Sequence, residues 1–305
     1  MAKCVLSYYL NHVHDPDIKK IVEYALNLSK TFVQKIKNIF IQDQFPLPVG
    51  FSSEVVNIEA PRLFVDEFYL HYLQYSGKAG MSLYGAAIPF VTRKDVRDFF
   101  VDCLNGTVKL MVDVNDTLME KGVLMNAPAI PVPEKVDFVH KQNFLHGFLG
   151  DVRPLHGLEI AHLYDNLNND VTSRALIVGF CQVASCDTIR KYFEGGKNIN
   201  SKHIKMMSDK LVKDNLPSPS LLDHLVTAST VSPFSDKLML FHKIDMFSMK
   251  IREYANGASL NGRRDVGALY ARCLLDISLY VEDGANIMIG TDGWSSRRLQ
   301  LIGIG

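Results

Sequence analysis

The sequence lacks an excess of charge of either sign. Thirty-three Lys and Arg side chains balance 33 Asp and Glu side chains over 305 residues. A domain that binds DNA, RNA or heparin through a broad electrostatic surface carries a basic excess. The balance therefore argues against a dedicated nucleic-acid binder, although it leaves a local basic patch open.

Long apolar runs and paired cysteine motifs are missing too. No stretch reaches about 18 consecutive apolar residues, the length typical of a membrane span, and no signal-peptide pattern follows Met1. The five cysteines are an odd number without a Cys-x-x-Cys pair. We therefore expect reduced, mostly buried thiols, a cytoplasmic protein and no membrane span.

What the chain does have is an internal repeat with a period of 170–171 residues. The Pro-x-Pro segment at residues 45–48 returns at 216–219, Thr92–Val96 returns as Gly262–Val266, and Cys103 returns as Cys273. Because order and spacing hold throughout, the sequence predicts two copies of one supersecondary unit.

Each copy carries the apolar spacing of amphipathic helices. The first copy predicts helices at 15–43, from about 61, and at 95–119; the second predicts them at 158–184, 187–215, from about 233, and at 265–288. Asp15 is expected to cap the helix that Pro16 begins. The pattern predicts an all-α fold, a tandem duplication of a four-helix bundle with ferritin-like up-down architecture.

The first copy is incomplete in this reading. Met1 corresponds to Thr172, so residues 156–171 have no counterpart and roughly 24 Å of helix is missing. A bundle that lacks half of its first helix exposes an apolar groove. Three explanations are open: a misplaced start codon, which we favour, a truncated gene, or another segment that fills the groove.

The domain organisation follows from these patterns. We expect a truncated bundle at 1–124, a Pro- and aromatic-rich connecting strap at 125–154, a second bundle at 155–292 and a poorly ordered tail at 293–305. The strap has little Gly or Ser and many aromatic residues, so we expect it to pack on the bundles.

Several segments carry a resemblance to a known family. They are Ile130–Val139, Lys141–Leu145, Gly150–Leu155, Pro233–Met239 and Glu282–Ile289. Together they resemble a family of uncharacterised proteins from Bacillus and relatives, the domain-of-unknown-function family numbered 3231, over nearly the whole chain. The resemblance implies tandem bundles similar in shape to ferritin-like and spore-coat proteins, and it implies no activity. The chain departs from the family at its start and from Ser295 onward.

A ferritin-like di-metal centre needs two Glu-x-x-His motifs and two further carboxylates. The sequence has one such motif, Glu159–His162. The apolar stripe of its helix directs His162 away from the core and leaves Glu159 on the flank. We therefore expect a solvated face there and reject a standard di-iron site.

A weaker set of histidines and carboxylates remains in the second copy. His203 and His242 replace aromatic residues of the first copy, at similar depth in the bundle. Asp245 lies one turn from His242, and Asp276 lies at the same level. These four residues could bind zinc, iron or manganese. The alternative is two core histidines, each bonded to a backbone, Tyr or Asp partner.

Other motifs point to structure rather than chemistry. Two helix starts carry the same basic-acidic pattern, Arg93–Asp95 and Arg263–Asp265. We expect a solvated cap at each, with an anion site as the alternative. Gly195–Lys197 lacks a Walker pattern and favours close helix packing. Cys181 and Cys186 are five residues apart and have no basic neighbour that would lower the pKa of a thiol, so we expect packing rather than a nucleophilic or redox role.

The sequence thus predicts a non-catalytic structural or interaction protein of helical-bundle type, associated with sporulation, in the cytoplasm or the spore. The expected partners are another protein or a second copy of the chain, with no nucleic acid, and no cofactor is expected. The alternative is a ferritin-like metal-binding protein that uses the His203, His242, Asp245 and Asp276 set with zinc, iron or manganese.

Overall fold

A computed structural model describes residues 1–130, 132, 134–136, 138–139, 142–148 and 152–290. These residues form eight α-helices, α1 (Ala2–His12), α2 (Pro16–Gln42), α3 (Asp66–Ala87), α4 (Lys94–Glu120), α5 (Gly157–Val183), α6 (Asp187–Lys213), α7 (Asp236–Ser259) and α8 (Arg264–Gly290). Within that range the only β pairing is two isolated bridges. The all-α prediction is confirmed. None of the helices in this part of the chain combines the length and the apolar character that crossing a membrane requires.

The start of α2 follows from its local sequence. The side chain of Asp15 accepts hydrogen bonds from the backbone N–H groups of Asp17 and Ile18, and Pro16 occupies the first helical turn. Proline costs nothing there, because its missing N–H would have no partner within the helix. The predicted cap is confirmed.

The helices recur at the offset that the sequence predicts. α2 and α6 begin 171 residues apart, and each has 27 residues. α4 and α8 begin 170 residues apart and also have 27 residues each. The first helices end 171 residues apart but differ in length, since α1 has 11 residues and α5 has 27.

The helices of the two halves pack differently near α1, which is shorter than its counterpart α5. In the second half, α6 and α7 each contact both α5 and α8, which closes a ring of four helices. In the first half, α2 contacts α1 and α4, α3 contacts α4, and α2 also packs directly on α3. This diagonal contact is more extensive than that between α6 and α7, because a short α1 leaves room for it.

The loops ahead of α3 and α7 hold the two halves together by exchanging backbone hydrogen bonds. Asn57 donates to the carbonyl of Pro233 at 2.8 Å, and Thr227 donates to that of Leu63 at 2.9 Å. Further equivalent pairs are Ser235 to Val55, Val65 to Leu225, and the bridges Val56–Phe234 and Phe64–Val226. The 170-residue offset converts each contact into its equivalent, as Asn57 to Pro233 becomes Thr227 to Leu63. The interface therefore has local two-fold symmetry.

This exchange corrects the predicted starts of two helices. The sequence predicts helices from about Pro61 and Pro233, whereas α3 begins at Asp66 and α7 at Asp236. The residues in between stay extended, because their backbone groups bond the opposite loop. Asp66 and Asp236 then accept hydrogen bonds from backbone N–H groups just ahead of α2 and α6.

The described part of the strap contacts the start of α5. The guanidinium of Arg153 lies 4.0 Å from the centre of the Phe144 ring and pairs with Glu159. Asn168 donates to the carbonyl of Met125 at 3.3 Å. The predicted tail at 293–305 lies outside the described residues, as do residues 131, 133, 137, 140–141 and 149–151 of the strap.

The interface between the halves makes a first testable prediction. Phe64 is fully buried, its ring stacks on Phe68 at 4.1 Å, and a Cβ built at Gly179 would lie 2.6 Å from it. We expect Phe64→Ala to lower the free energy of unfolding by about 3–5 kcal/mol, the usual cost of emptying a buried phenylalanine site. Urea denaturation followed by circular dichroism measures this. Phe90→Ala, at an exposed site, is the control, and equal effects of the two substitutions would contradict the prediction.

Candidate functional site

The core of the second half contains a buried ion pair. The carboxylate of Asp170 on α5 accepts from Nζ of Lys250 at 2.6 Å and from the hydroxyl of Tyr254 at 2.8 Å. Nζ of Lys250 also donates to Asn200 at 2.6 Å. All four side chains are buried. Removing one charge of such a pair is costly, because the other stays buried without compensation.

His203 extends this network toward α8. Its Nδ1 lies 3.2 Å from the hydroxyl of Tyr254, and its Nε2 lies 3.1 Å from Asp276. Burial lowers the pKa of His203, while the charges of Asp170 and Asp276 oppose that shift. The carboxylate of Asp276 also accepts from Nζ of Lys202 at 2.6 Å, so it already has a cationic partner.

His242 lies in a different place, against the first half of the chain. Its Nε2 is 2.8 Å from the hydroxyl of Tyr72, which is its counterpart in the repeat. Burial lowers the pKa of His242 to about 4, so the ring is neutral near pH 7. Asp245, whose pKa burial raises, makes no hydrogen bond with another described residue.

The predicted set is therefore only partly brought together. His203 and Asp276 are paired, but His203 and His242 share no hydrogen-bond partner. No three His, Cys, Asp or Glu side chains of the described residues are grouped so that they could hold a metal ion. The contacts match the alternative of core histidines bonded to Tyr and Asp, and the metal site stays a prediction.

Two buried lysines of α7 were missed by the sequence reasoning. Nζ of Lys243 donates to the hydroxyl of Ser173 at 2.9 Å and lies 4.7 Å from the centre of the Phe247 ring. Burial, with the nearby charge of Lys250, lowers the pKa of Lys243 well below its usual value. The available signal was spacing: the two lysines are seven residues apart, so they lie on one face of the helix together with apolar residues.

Two sequence-based expectations about solvated residues are wrong. Glu159 is buried, and its carboxylate accepts from Arg153 at 2.8 Å, from the backbone of Gly262 at 2.9 Å and from that of Arg263 at 3.0 Å. Burial alone would raise the pKa of Glu159, but the hydrogen bonds from Arg153 and from the backbone of His156 and Gly262, with the charge of Arg153, lower it to about 2. The guanidinium of Arg263 is also buried and pairs with Asp265. The helical stripe could not reveal this, because the end of the strap, at Arg153, covers these residues.

The first half holds a cavity of about 380 Å³ at the place where the sequence predicts a groove. Met1 and Ala2 lie at one end of it. Its walls come from α2, α3, α4 and, from the other half, α7. The lining is mainly apolar and includes Ala25, Leu28, Phe32, Val33, Leu73, Leu83, Tyr84, Leu110, Met246 and Met249.

The cavity occupies the position that the buried ion pair takes in the second half. Leu73 stands where the repeat has Lys243, and Gly80 stands where it has Lys250. The other replacements are Ser29 for Asn200, Phe32 for His203, and Gly106 for Asp276. The first half has therefore lost nearly all the polar partners that surround Asp170 in the second.

The ion pair generates a prediction about stability. We expect Lys250→Met to lower the free energy of unfolding by about 3–5 kcal/mol, because the carboxylate of Asp170 stays buried without its cation. The double variant Asp170→Asn with Lys250→Met should lose less than the sum of the two single variants. Urea denaturation measures all three. Lys205→Met, in an exposed pair with Asp209, is the control. Additive effects of the two core substitutions would rule out the coupling.

Glu253 generates a prediction about pH. Burial raises the pKa of Glu253 from 4.5 to about 7, so folding takes up a proton between these values. Its contribution to stability is complete below pH 4.5 and is lost as the pH rises through about 7. We expect Glu253→Gln to match the wild type at pH 4.5 and to exceed its stability at pH 8 by about 1–2 kcal/mol. Glu120→Gln, at an exposed site, should have the same effect on stability at pH 4.5 and at pH 8. A pH-independent effect of Glu253→Gln would refute the prediction.

Comparison with known proteins identifies a family. The family model described as "Protein of unknown function (DUF3231)" matches residues 1–136 and 143–297. No curated protein and no solved structure matches the chain. The two matched segments cover most of the sequence and confirm the resemblance to this family. The chain therefore belongs to the DUF3231 family of proteins of unknown function.

Proposed function

We propose that the protein is a non-catalytic structural or interaction protein of helical-bundle type. One observation carries the proposal: the three most deeply buried carboxylates of the second half, those of Glu159, Asp170 and Asp265, pair with cations of the chain, while the cavity lies elsewhere and is mainly apolar. Glu159 pairs with Arg153, and Asp170 pairs with Lys250.

A catalytic site needs a reactive group that faces a space into which a substrate can enter. The network of Asp170, Lys250 and His203 is enclosed by its own helices, and its members are buried. The cavity of the first half is open to solvent instead, but Leu73 and Gly80 replace the lysines there. The buried network of Asp170 and the accessible space therefore lie in different halves, and of the titratable groups of α7 only His242 and Asp245 border the cavity. This arrangement favours binding over catalysis.

The proposal includes a tandem duplication of a four-helix bundle. Three observations support it: the helix starts recur at one offset, the two loops exchange equivalent hydrogen bonds, and two consecutive segments match the same family model. In this organisation residues 1–124 form the first bundle, 125–154 the strap, 155–292 the second bundle and 293–305 the tail. A ferritin-like up-down architecture, a cytoplasmic location and a spore association belong to the same proposal.

One observation favours a second candidate function, a metal-binding protein. His203 and Asp276 are paired at 3.1 Å, and imidazole and carboxylate groups are ligands for zinc, iron and manganese. Against it stands Lys202, whose ammonium group already bonds the carboxylate of Asp276.

Elemental analysis of the purified protein separates the two functions. We expect no stoichiometric zinc, iron or manganese in the wild type, in His203→Ala or in His242→Ala, because each histidine already has partners within the chain. His162→Ala, outside the predicted set, is the control variant. About one metal ion per chain, lost in His203→Ala but kept in His162→Ala, would overturn the proposal in favour of the metal-binding function.

A further inference from the structure

The second half of the chain contains the helix that the first half lacks. α5 has 27 residues and α1 has 11, so the segment Gly157–Thr172 at the start of α5 has no counterpart within α1. Its buried face carries the apolar residues Ile160, Leu163, Leu167 and Val171 and, near its end, the carboxylate of Asp170. The repeat therefore gives a direct picture of what fits at this position in a bundle of this sequence.

The segment Gly157–Thr172 is enclosed by helices of both halves. α5 packs on α6 and α7 of its own half and on α3 of the other half. Nζ of Lys78 on α3 bonds Asp165 of α5 at 2.5 Å. On the inner side, Asn166 lies within 3.4 Å of the hydroxyl of Tyr270 on α8.

The groove of the first half has the same four walls. The equivalents of α6, α7 and α8 are α2, α3 and α4, and all three line it. α7 lines it from the other half through Asp245, Met246 and Met249, as α3 borders α5. The local two-fold relation between the halves thus places α7 beside the groove in the way that α3 lies beside α5.

The side chains of the groove suit an apolar helix. Val33 and Leu83 border it and are 54% and 36% exposed, respectively. Gly80 replaces Lys250 of the repeat and keeps the wall on α3 shallow. Gly77 replaces Phe247 and makes room for the side chain of Met111 on α4. Apolar side chains gathered around an open groove indicate a binding surface.

The length of the groove along α3 suits a helix. Along α3 its lining runs from Tyr72 to Tyr84, which at 1.5 Å per residue is roughly 18 Å. An amphipathic helix of about four turns covers that length with one apolar stripe. Tyr84 also matches Tyr254, whose hydroxyl donates to Asp170, so an α5-like helix finds an equivalent tyrosine in the groove.

We propose that this groove binds an amphipathic α-helix from outside residues 1–305, about four turns long, with an apolar stripe like that of Gly157–Thr172. The inference rests on the proposed function as an interaction protein and specifies its binding surface and the chemistry of its partner. The bound helix lies in line with α1 and contacts α2, α3 and α7.

A fluorescently labelled peptide with the sequence of residues 157–172 and the substitution Asp170→Leu tests the proposal by anisotropy titration of the full chain. The substitution is needed because Gly80 stands in the groove where the repeat has Lys250, the cation that pairs with Asp170. We expect saturable binding. The same peptide with Leu163→Asp and Leu167→Asp should bind at least about tenfold more weakly, because two charges then lie on the apolar stripe.

A pair of matched protein variants places the binding in the groove. Gly80→Leu fills it, and we expect a loss of affinity of at least about tenfold. Gly85→Leu makes the same substitution on the same helix, at a position that does not line the groove and has open space around it, and should bind as the wild type does. Circular dichroism checks that both variants are folded.

Three results would overturn the inference. They are no binding of the first peptide, equal binding of the two peptides, and binding that Gly80→Leu leaves unchanged. If the peptide does not bind, but a fatty-acid probe binds to the wild type and not to Gly80→Leu, the groove is a lipid pocket instead. If the purified protein contains no metal, each of these results contradicts the helix-binding groove but not the proposed function. Stoichiometric metal would contradict the proposed function, with or without peptide binding.

Discussion

Each long helix of this protein has an apolar stripe, and that stripe must be covered along its whole length. Four helices in a ring satisfy the requirement in the second half, where α5 and α6 match in length. In the first half α1 is shorter than α2, so part of the ring has no fourth member. The contact of α2 with α3 fills only part of the space left by the short α1. The mainly apolar cavity is the part of that space that stays open.

The two halves have different side chains at equivalent positions in the centre of the bundle. In the second half a buried carboxylate, a lysine, an asparagine and a tyrosine satisfy one another at the centre of the bundle. In the first half small and apolar residues occupy the equivalent positions and leave space. Buried polar groups of the first kind need every partner in place, which favours a closed, unchanging core. A shallow apolar wall tolerates an exchangeable occupant. The proposed difference in role, a closed core in the second half and a helix-binding groove in the first, rests on this difference in side chains.

Much of the fold could be predicted from the sequence, because its determinants are local. Asp15 and Pro16 lie directly at the start of α2, and the apolar spacing of the long helices continues to their ends. The groove followed from comparing one half of the sequence with the other. The starts of α3 and α7 could not be predicted in this way, since the backbone groups that keep those loops extended bond partners in the opposite half.

The site was harder to predict than the fold. His203 and Asp276 were expected to be near each other and are paired, but His242 faces Tyr72 across the interface. A helical stripe identifies the buried face of a helix but not the neighbouring helix that this face meets. Glu159 was misjudged because its partner Arg153 comes from an irregular segment. Nothing in the local pattern of α5 encodes that contact.

Hydrogen exchange measured by mass spectrometry, with and without the Asp170→Leu peptide of residues 157–172, is the decisive experiment on helix binding in the groove. We expect slower exchange of backbone amides in residues 25–33 of α2 and 72–84 of α3 when the peptide is present, because those segments line the groove. The exchange rates of amides in α6 and α8, which do not line the groove, should be unchanged. Protection confined to the second half, or no protection anywhere at saturating peptide, would contradict the assignment of the groove as a helix-binding surface.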